Sequence, residues 1–253
     1  GTEPGVHPPE SRGGTPDSPT ACAPHTPVPS SPNRRLWGHG VTETTDGIMN
    51  SYPPEGITGL VLAGGLARRM GGIDKGLVVL AGKPMIEHVL GGLKPQVGRV
   101  LVNANRNLEQ YARYGYPVVS DTLAGYLGPL AGALSALQVM ETEFLLTVPC
   151  DSPLMAPDLA QRMHQALVSQ GADLAVAHDG QRQQPVFLLL KRDLAADLQD
   201  YLASGERKID RWFARHRLAE ADLSHRPDSF INVNEPEERE RLEALLLSQS
   251  PAA

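Results

Sequence analysis

The apolar residues of this chain fall into short runs separated by glycines, prolines and polar turns. From Ile57 onward the runs alternate between two kinds. The first is a near-continuous apolar stretch of strand length, as in ITGLVLA, RVLVNAN, YPVVSD, EFLLTVPCD, ADLAVAH and QPVFLLLK. Such runs, ended by glycine or a polar turn, predict strands buried on both faces. Between them lie segments with helical spacing. These are PMIEHVLGGLKPQ, with Pro84 near its start where a missing N–H costs little, NLEQYARYG, the small-residue stretch GPLAGALSALQVM, and APDLAQRMHQALVSQG, which stops at Gly171. Further helices are expected from about Arg192 and Lys208, and SFINVN and EPEERERLEALLL close the chain as strand and helix. Repeated strand–helix units predict an α/β fold with a mostly parallel sheet covered on both faces. In such folds ligands gather at the C-terminal ends of the strands.

The first 56 residues break this pattern. They hold 11 of the 22 prolines, many Ser, Thr and Gly, and almost no periodic apolar positions. A segment of that composition buries too little apolar surface to offset its ordering entropy. Residues 1–54 are therefore expected to form a disordered extension and residues 55–250 a single folded domain. The extension lacks the basic start and apolar core of a secretory signal, and its acidic residues argue against a transit peptide. Met49 is the first methionine, so the natural chain is expected to start there, with residues 1–48 lying upstream of it.

Charge narrows the partners. The net charge of −6 provides no broad basic surface for nucleic acid. No apolar run approaches the about 20 residues that span a bilayer, so no membrane partner is expected. Cys22 and Cys150 are the two cysteines and fall in compositionally different regions, which is no disulfide framework and points to a reducing cytoplasm.

The stretch LVLAGGLARRMGGIDKGLVVLAGKP, from Leu60 to Pro84, ends a strand in two glycines and then places Arg68, Arg69 and Lys75 around another glycine pair. It is not a P-loop, because Lys75 is followed by Gly76 and its distance from the glycines is wrong, nor does GGLARRMGG supply G-x-G-x-x-G. What remains is a long loop in which glycines let backbone N–H groups approach a ligand while arginine and lysine supply charge. A solvated connection with incidental basic residues is the plainer reading. Three cations so close to a strand end favour an anion site.

With its following GKP, LAGGLARRMGGIDKGL resembles the signature of the molybdenum cofactor guanylyltransferases, the MobA family, within the nucleotidyltransferases of three-layer Rossmann-like α/β fold. The resemblance continues in VNANR at 102–106, SDTLAGYLGPLAG at 120–132, VPCDSP at 148–153, SGERKI at 204–209 and FINVNEPEE at 230–238, and runs from Thr58 to about Leu247. It implies nucleotide contacts from Leu62, Ala63, Gly64, Lys75, Asn103, Asp121 and Asp151, with Asp151 also holding Mg2+. Gly65, Arg69 and Gly72 match loop positions important to the family's activity. Asn232 and Asn234, and less directly Arg207 in the GER motif, match positions on the pterin side. Leu66 stands where related sequences often carry a polar residue.

The resemblance further implies transfer of GMP from GTP to the terminal phosphate of Mo-molybdopterin, with pyrophosphate released. A cytoplasmic monomer is expected, with transient contacts to cofactor-synthesis proteins and recipient apoenzymes. The nucleophile is then a substrate phosphate oxygen, so no Ser-His-Asp or Cys-His arrangement is needed, and none is evident. Lys75 would sit near the α-phosphate, and Arg69 would favour the departing phosphates. Each residue also has a plainer role. Asp151 before Ser152-Pro153 could start a turn, Asp121 could cap the next segment, and Asn234 before EPEE suits a helix N-cap. Cys150 reads as a small buried thiol. The alternatives are a cytidylyltransferase for the same cofactor, a sugar-phosphate nucleotidyltransferase, and a nucleotide sensor that does not react.

Overall fold

In the computed structural model, residues 52–63, 74–123, 128–233 and 236–249 are described. The expected disordered extension lies outside these residues except for its last positions, from Tyr52. Tyr52 is half-buried and packs edge-on against His164, with ring centroids 6.3 Å apart.

In chain order the elements are β1 (Ile57–Leu62), β2 (Val79–Leu80), β3 (Lys83–Pro84), α1 (Met85–Leu93), β4 (Arg99–Asn103), α2 (Leu108–Ala112), β5 (Val118–Val119) and α3 (Pro129–Val139). They continue as β6 (Phe144–Pro149), α4 (Leu159–Ser169), β7 (Leu174–His178), β8 (Gln183–Lys191), α5 (Ala195–Ala203), α6 (Ile209–Phe213), β9 (Leu218–Asp222) and α7 (Pro236–Gln249). Seven strands form one sheet in the order β5-β4-β1-β6-β8-β7-β9. β8 runs antiparallel to both neighbours, and the remaining pairings are parallel. The predicted mostly parallel α/β sheet is thus the observed one.

The strands' alternation assigns each face of the sheet to its own helices. Ile57, Val61, Val102, Leu146 and Val148 pack with α1 and α4 through Ile86, Val89, Leu93, Leu159, Met163 and Leu167. Leu60, Leu145, Val176, Leu188 and Leu190 pack on the other face with α3, α5 and α6 through Leu130, Leu134, Leu198, Leu202, Trp212 and Phe213. Each fully buried aliphatic side chain contributes roughly 1.5–3 kcal/mol. Three layers result, helices on sheet on helices. Among the described residues no helix is long and apolar enough to cross a membrane.

Two expectations near the C-terminus change. SFINVN is not a sheet strand: Pro227–Phe230 form a 3-10 turn, and Ile231–Val233 run on outside the sheet. Phe230 packs edge-on against Phe187 at 4.9 Å, whereas Val233 enters a separate small cluster with Leu80, Met85 and Leu242. The apolar residues of this segment therefore serve two cores in place of one sheet face. The last strand of the sheet is instead LAEAD, in which Ala219 and Ala221 point inward while Glu220 and Asp222 are exposed. Alanine and glutamate favour helix intrinsically, which hides this edge strand from a propensity reading. The β2–β3 hairpin, also not anticipated, lies under α7, and Glu243 Oε1 accepts a hydrogen bond from Ala81 N–H at 3.1 Å.

Candidate active site

Four parallel strands, β5, β4, β1 and β6, end side by side, and their C-terminal ends carry most of the polar residues singled out in the sequence. Backbone pairing continues one step past the strands. Ala63 N–H donates to Asn103 O at 2.8 Å, Cys150 N–H to Leu62 O at 3.1 Å, and Ala104 N–H to Val119 O at 3.0 Å. Leu62, Ala63, Asn103, Asp121 and Asp151 are therefore held on a rigid sheet edge rather than on independent loops. Gly64, Gly65, Arg69 and Gly72, with Arg68, lie outside the described residues.

Asp151 follows β6 and has a side chain only 12 % exposed. Its Oδ2 accepts from Lys75 Nζ at 3.0 Å, the lysine itself being 26 % exposed. Lys75 opens a 3-10 turn at Lys75–Leu77. Residues 76 positions apart thus bring a cation and a carboxylate into contact at the junction of β1 and β6. The Asp151 backbone oxygen accepts from Val233 N–H at 3.3 Å, and Ser152 Oγ donates to Asn232 Oδ1 at 2.6 Å. The C-terminal motif is consequently anchored beside Asp151. Asn234 lies outside the described residues.

The second half of the site joins β4 to the chain after β5. Asn103, 3 % exposed, donates from Nδ2 to Val119 O at 3.2 Å and to Asp121 Oδ1 at 2.9 Å. Asn105 was not singled out in the sequence. Its Nδ2 donates to Asp121 Oδ2 at 2.9 Å, and its Oδ1 accepts from Asp121 N–H at 2.8 Å. The signal for it was the two-residue spacing of Asn103 and Asn105, which places both carboxamides on one side of an extended chain. α3 approaches this pair closely: a Cβ on Gly132 would lie 2.5 Å from Asn103 Oδ1 and 2.6 Å from Leu62 Cδ2. Glycine there is a condition of the site's geometry.

Arg207 stands apart from these contacts. Its Nη1 donates to Leu202 O at 2.6 Å and to Glu206 O at 2.5 Å, closing the C-terminal end of α5. Cys150 is buried, and burial first, then the nearby Asp151 and Asp74 charges, push its thiol well above the usual range. The thiol stays protonated and serves as packing.

The donor set suits a hard divalent cation that takes most of its ligands from water and substrate. Asp151 offers a carboxylate oxygen at the site, and no group of three or more His, Cys, Asp or Glu residues among the described residues forms an all-protein cage.

Residues 59–221 match the family described as the MobA-like NTP transferase domain. The chain is 53 % identical over 186 residues to the molybdenum cofactor guanylyltransferase of Shewanella sediminis (strain HAW-EB3), covering 74 % of this chain and 95 % of that protein. It is 52 % identical over 186 residues to the protein of the same name from Shewanella loihica (strain ATCC BAA-1088 / PV-4), with the same coverage. Among solved structures, the molybdopterin-guanine dinucleotide biosynthesis protein A of Archaeoglobus fulgidus superposes with a TM-score of 0.64 at 24 % identity, covering 76 % of this chain and 100 % of that one. The 4-diphosphocytidyl-2C-methyl-D-erythritol synthase of Anaerococcus prevotii superposes with a TM-score of 0.61 at 13 % identity, covering 79 % and 98 %. These two structures share the fold.

Proposed function

This chain belongs to the MobA-like NTP transferase family, and from that premise we propose that it is a guanylyltransferase acting on GTP and Mo-molybdopterin. The observation that carries the reading is the Lys75–Asp151 pair just past the end of β6, together with the Asn103–Asp121 pair at the ends of β4 and β5. A terminal phosphate oxygen of the pterin attacks the α-phosphorus of GTP. The new P–O bond forms as the bond from the α-phosphorus to the bridging oxygen breaks, and pyrophosphate leaves with that electron pair. No proton need be removed from the nucleophile. Catalysis therefore consists of aligning two anions and neutralising their charge.

Leu62 and Ala63 bring backbone to the nucleotide at the end of β1. Lys75 provides a mobile point charge for the α-phosphate, and Arg69 balances the departing phosphates. Asn103 and Asp121 form a fixed polar wall for the nucleoside. Asn232 serves the pterin side, and Asn234 and Arg207 are assigned to it by their match to the family's motifs alone. Asp151 holds Mg2+, which when bound neutralises phosphate charge and polarises the phosphoryl oxygens. Location in the cytoplasm and brief contacts with cofactor-synthesis proteins and recipient apoenzymes complete the proposal.

Pyrophosphate release in the presence of Mg2+ and Mo-molybdopterin tests it, with GTP compared against CTP. Turnover with GTP that exceeds turnover with CTP is expected. Preference for CTP would reassign the chain to cytidylyl transfer, and tight GTP binding without turnover would make it a sensor.

A further inference from the structure

A buried carboxylate, Asp74, has no part in the proposed chemistry yet directly precedes Lys75. It is only 5 % exposed. Its Oδ1 accepts a short hydrogen bond from Tyr111 Oη, and its Oδ2 accepts from Asn107 Nδ2 at 3.2 Å. Its backbone oxygen accepts from Leu77 N–H at 3.0 Å, closing the turn that Lys75 opens. Tyr111 is fully buried on α2, and Asn107 precedes that helix with φ at 52°. The turn is also seated from below. A Cβ on Gly76 would lie 2.7 Å from Tyr111 Oη and 3.4 Å from Cys150 Cβ, and Cys150 is the residue before Asp151.

Burying a carboxylate is costly unless donors compensate it. Here one side-chain donor comes from α2 and the other from the residue that precedes it, in a different crossover from the one that carries Lys75. The Lys75 turn is thereby stapled to α2 on one side and packed on the Asp151 strand end on the other. We infer that Tyr111 and Asn107, acting through Asp74, are positioning residues that hold Lys75 in register with Asp151. The kinetic consequence rests on the guanylyl-transfer reading; the placement of the Lys75 ammonium does not.

Tyr111→Phe removes the phenolic donor alone. Asn107→Gly removes the carboxamide at an exposed position whose positive φ glycine accepts without strain. Two readouts are taken on the full chain. The first is the acylation rate of the Lys75 amine without nucleotide, by peptide mass spectrometry, relative to the exposed Lys83 and Lys94. The second is the division of the kinetic effect between kcat and KM for GTP. For Tyr111→Phe, relative Lys75 labelling should rise about threefold and kcat should fall about tenfold, with KM for GTP within about twofold of wild type. Asn107→Gly should change both in the same direction by less, and it decides the matter should Tyr111→Phe fail to fold. Unchanged relative labelling of Lys75 in the folded variants would overturn the inference, as would a kinetic defect confined to KM. If the wild-type protein transfers no guanylyl group, the functional reading fails while labelling still decides the positioning.

Discussion

Lys75 and Asp151 share one short contact, so their substitutions should be distinguishable by what each leaves behind. Lys75→Ala removes a charge that matters most as the α-phosphate passes through its transition state. Its kcat should fall by about a hundredfold to a thousandfold, with a much smaller rise in KM for GTP. Steady-state kinetics check this, and a pure KM effect would show that the charge serves ground-state binding. Asp151→Ala should abolish Mg2+-dependent turnover while the circular dichroism spectrum and melting temperature stay near wild type; normal activity would refute its metal role. Both residues were legible in the sequence because each lies inside a dense motif that follows a buried strand, Asp151 directly after β6 and Lys75 in the long connection after β1. So were Asn103 and Asp121, whose carboxamide–carboxylate bond joins two strand ends. Asn105 had only the weak signal of its two-residue spacing from Asn103, and its bond to Asp121 joins separate crossovers. Tyr111 and Asp74 were not legible, because their contact arises where two crossovers meet and no local pattern encodes that meeting.

Among the elements, apolar runs such as β1 and β6 declared themselves, since burial on both faces leaves no charged position to confuse the period and even Thr58 and Thr147 are buried. The edge strand β9 did not, because one side is solvated and its residues favour helix. A bracket of contacts holds it in place. Asp173 and Arg217 directly precede β7 and β9, share one backbone–carboxyl and one backbone–backbone hydrogen bond, and pair through side chains at 2.9 Å. The Arg217 side chain, then its backbone N–H, draws the Asp173 carboxyl from 3.8 down to about 2. A carboxyl whose pKa is lower folded than unfolded adds stability that is complete above the unfolded value and disappears as pH falls toward the folded one. This contribution is therefore present above about pH 4 and lost between about pH 4 and 2; at this exposed position it amounts to about 1 kcal/mol or less. Melting temperatures measured across that interval should fall more steeply for wild type than for Arg217→Ala. Parallel curves would show that the bracket does not stabilise the edge.

At the scale of the whole molecule, the sheet order explains why one end of the structure carries the chemistry. β5, β4, β1 and β6 are parallel neighbours, so four loops emerge together and the two polar pairs are fixed on one rigid edge. The C-terminal segment returns to that edge by a different route from the one its sequence suggested. It leaves the sheet and docks Val233 and Asn232 against the Asp151–Ser152 turn, while α7 covers the hairpin that follows the Lys75 turn. On the proposed function, this edge moves a guanylyl group from one phosphate to another. The most direct measurement supplies GTP labelled at the α-phosphorus, with Mg2+ and Mo-molybdopterin, and follows the label. It should appear in a pterin dinucleotide in equal amount to the unlabelled pyrophosphate released, and Asp151→Ala should abolish both. Label that remains in GTP, or leaves as free GMP without entering the pterin, would contradict the account.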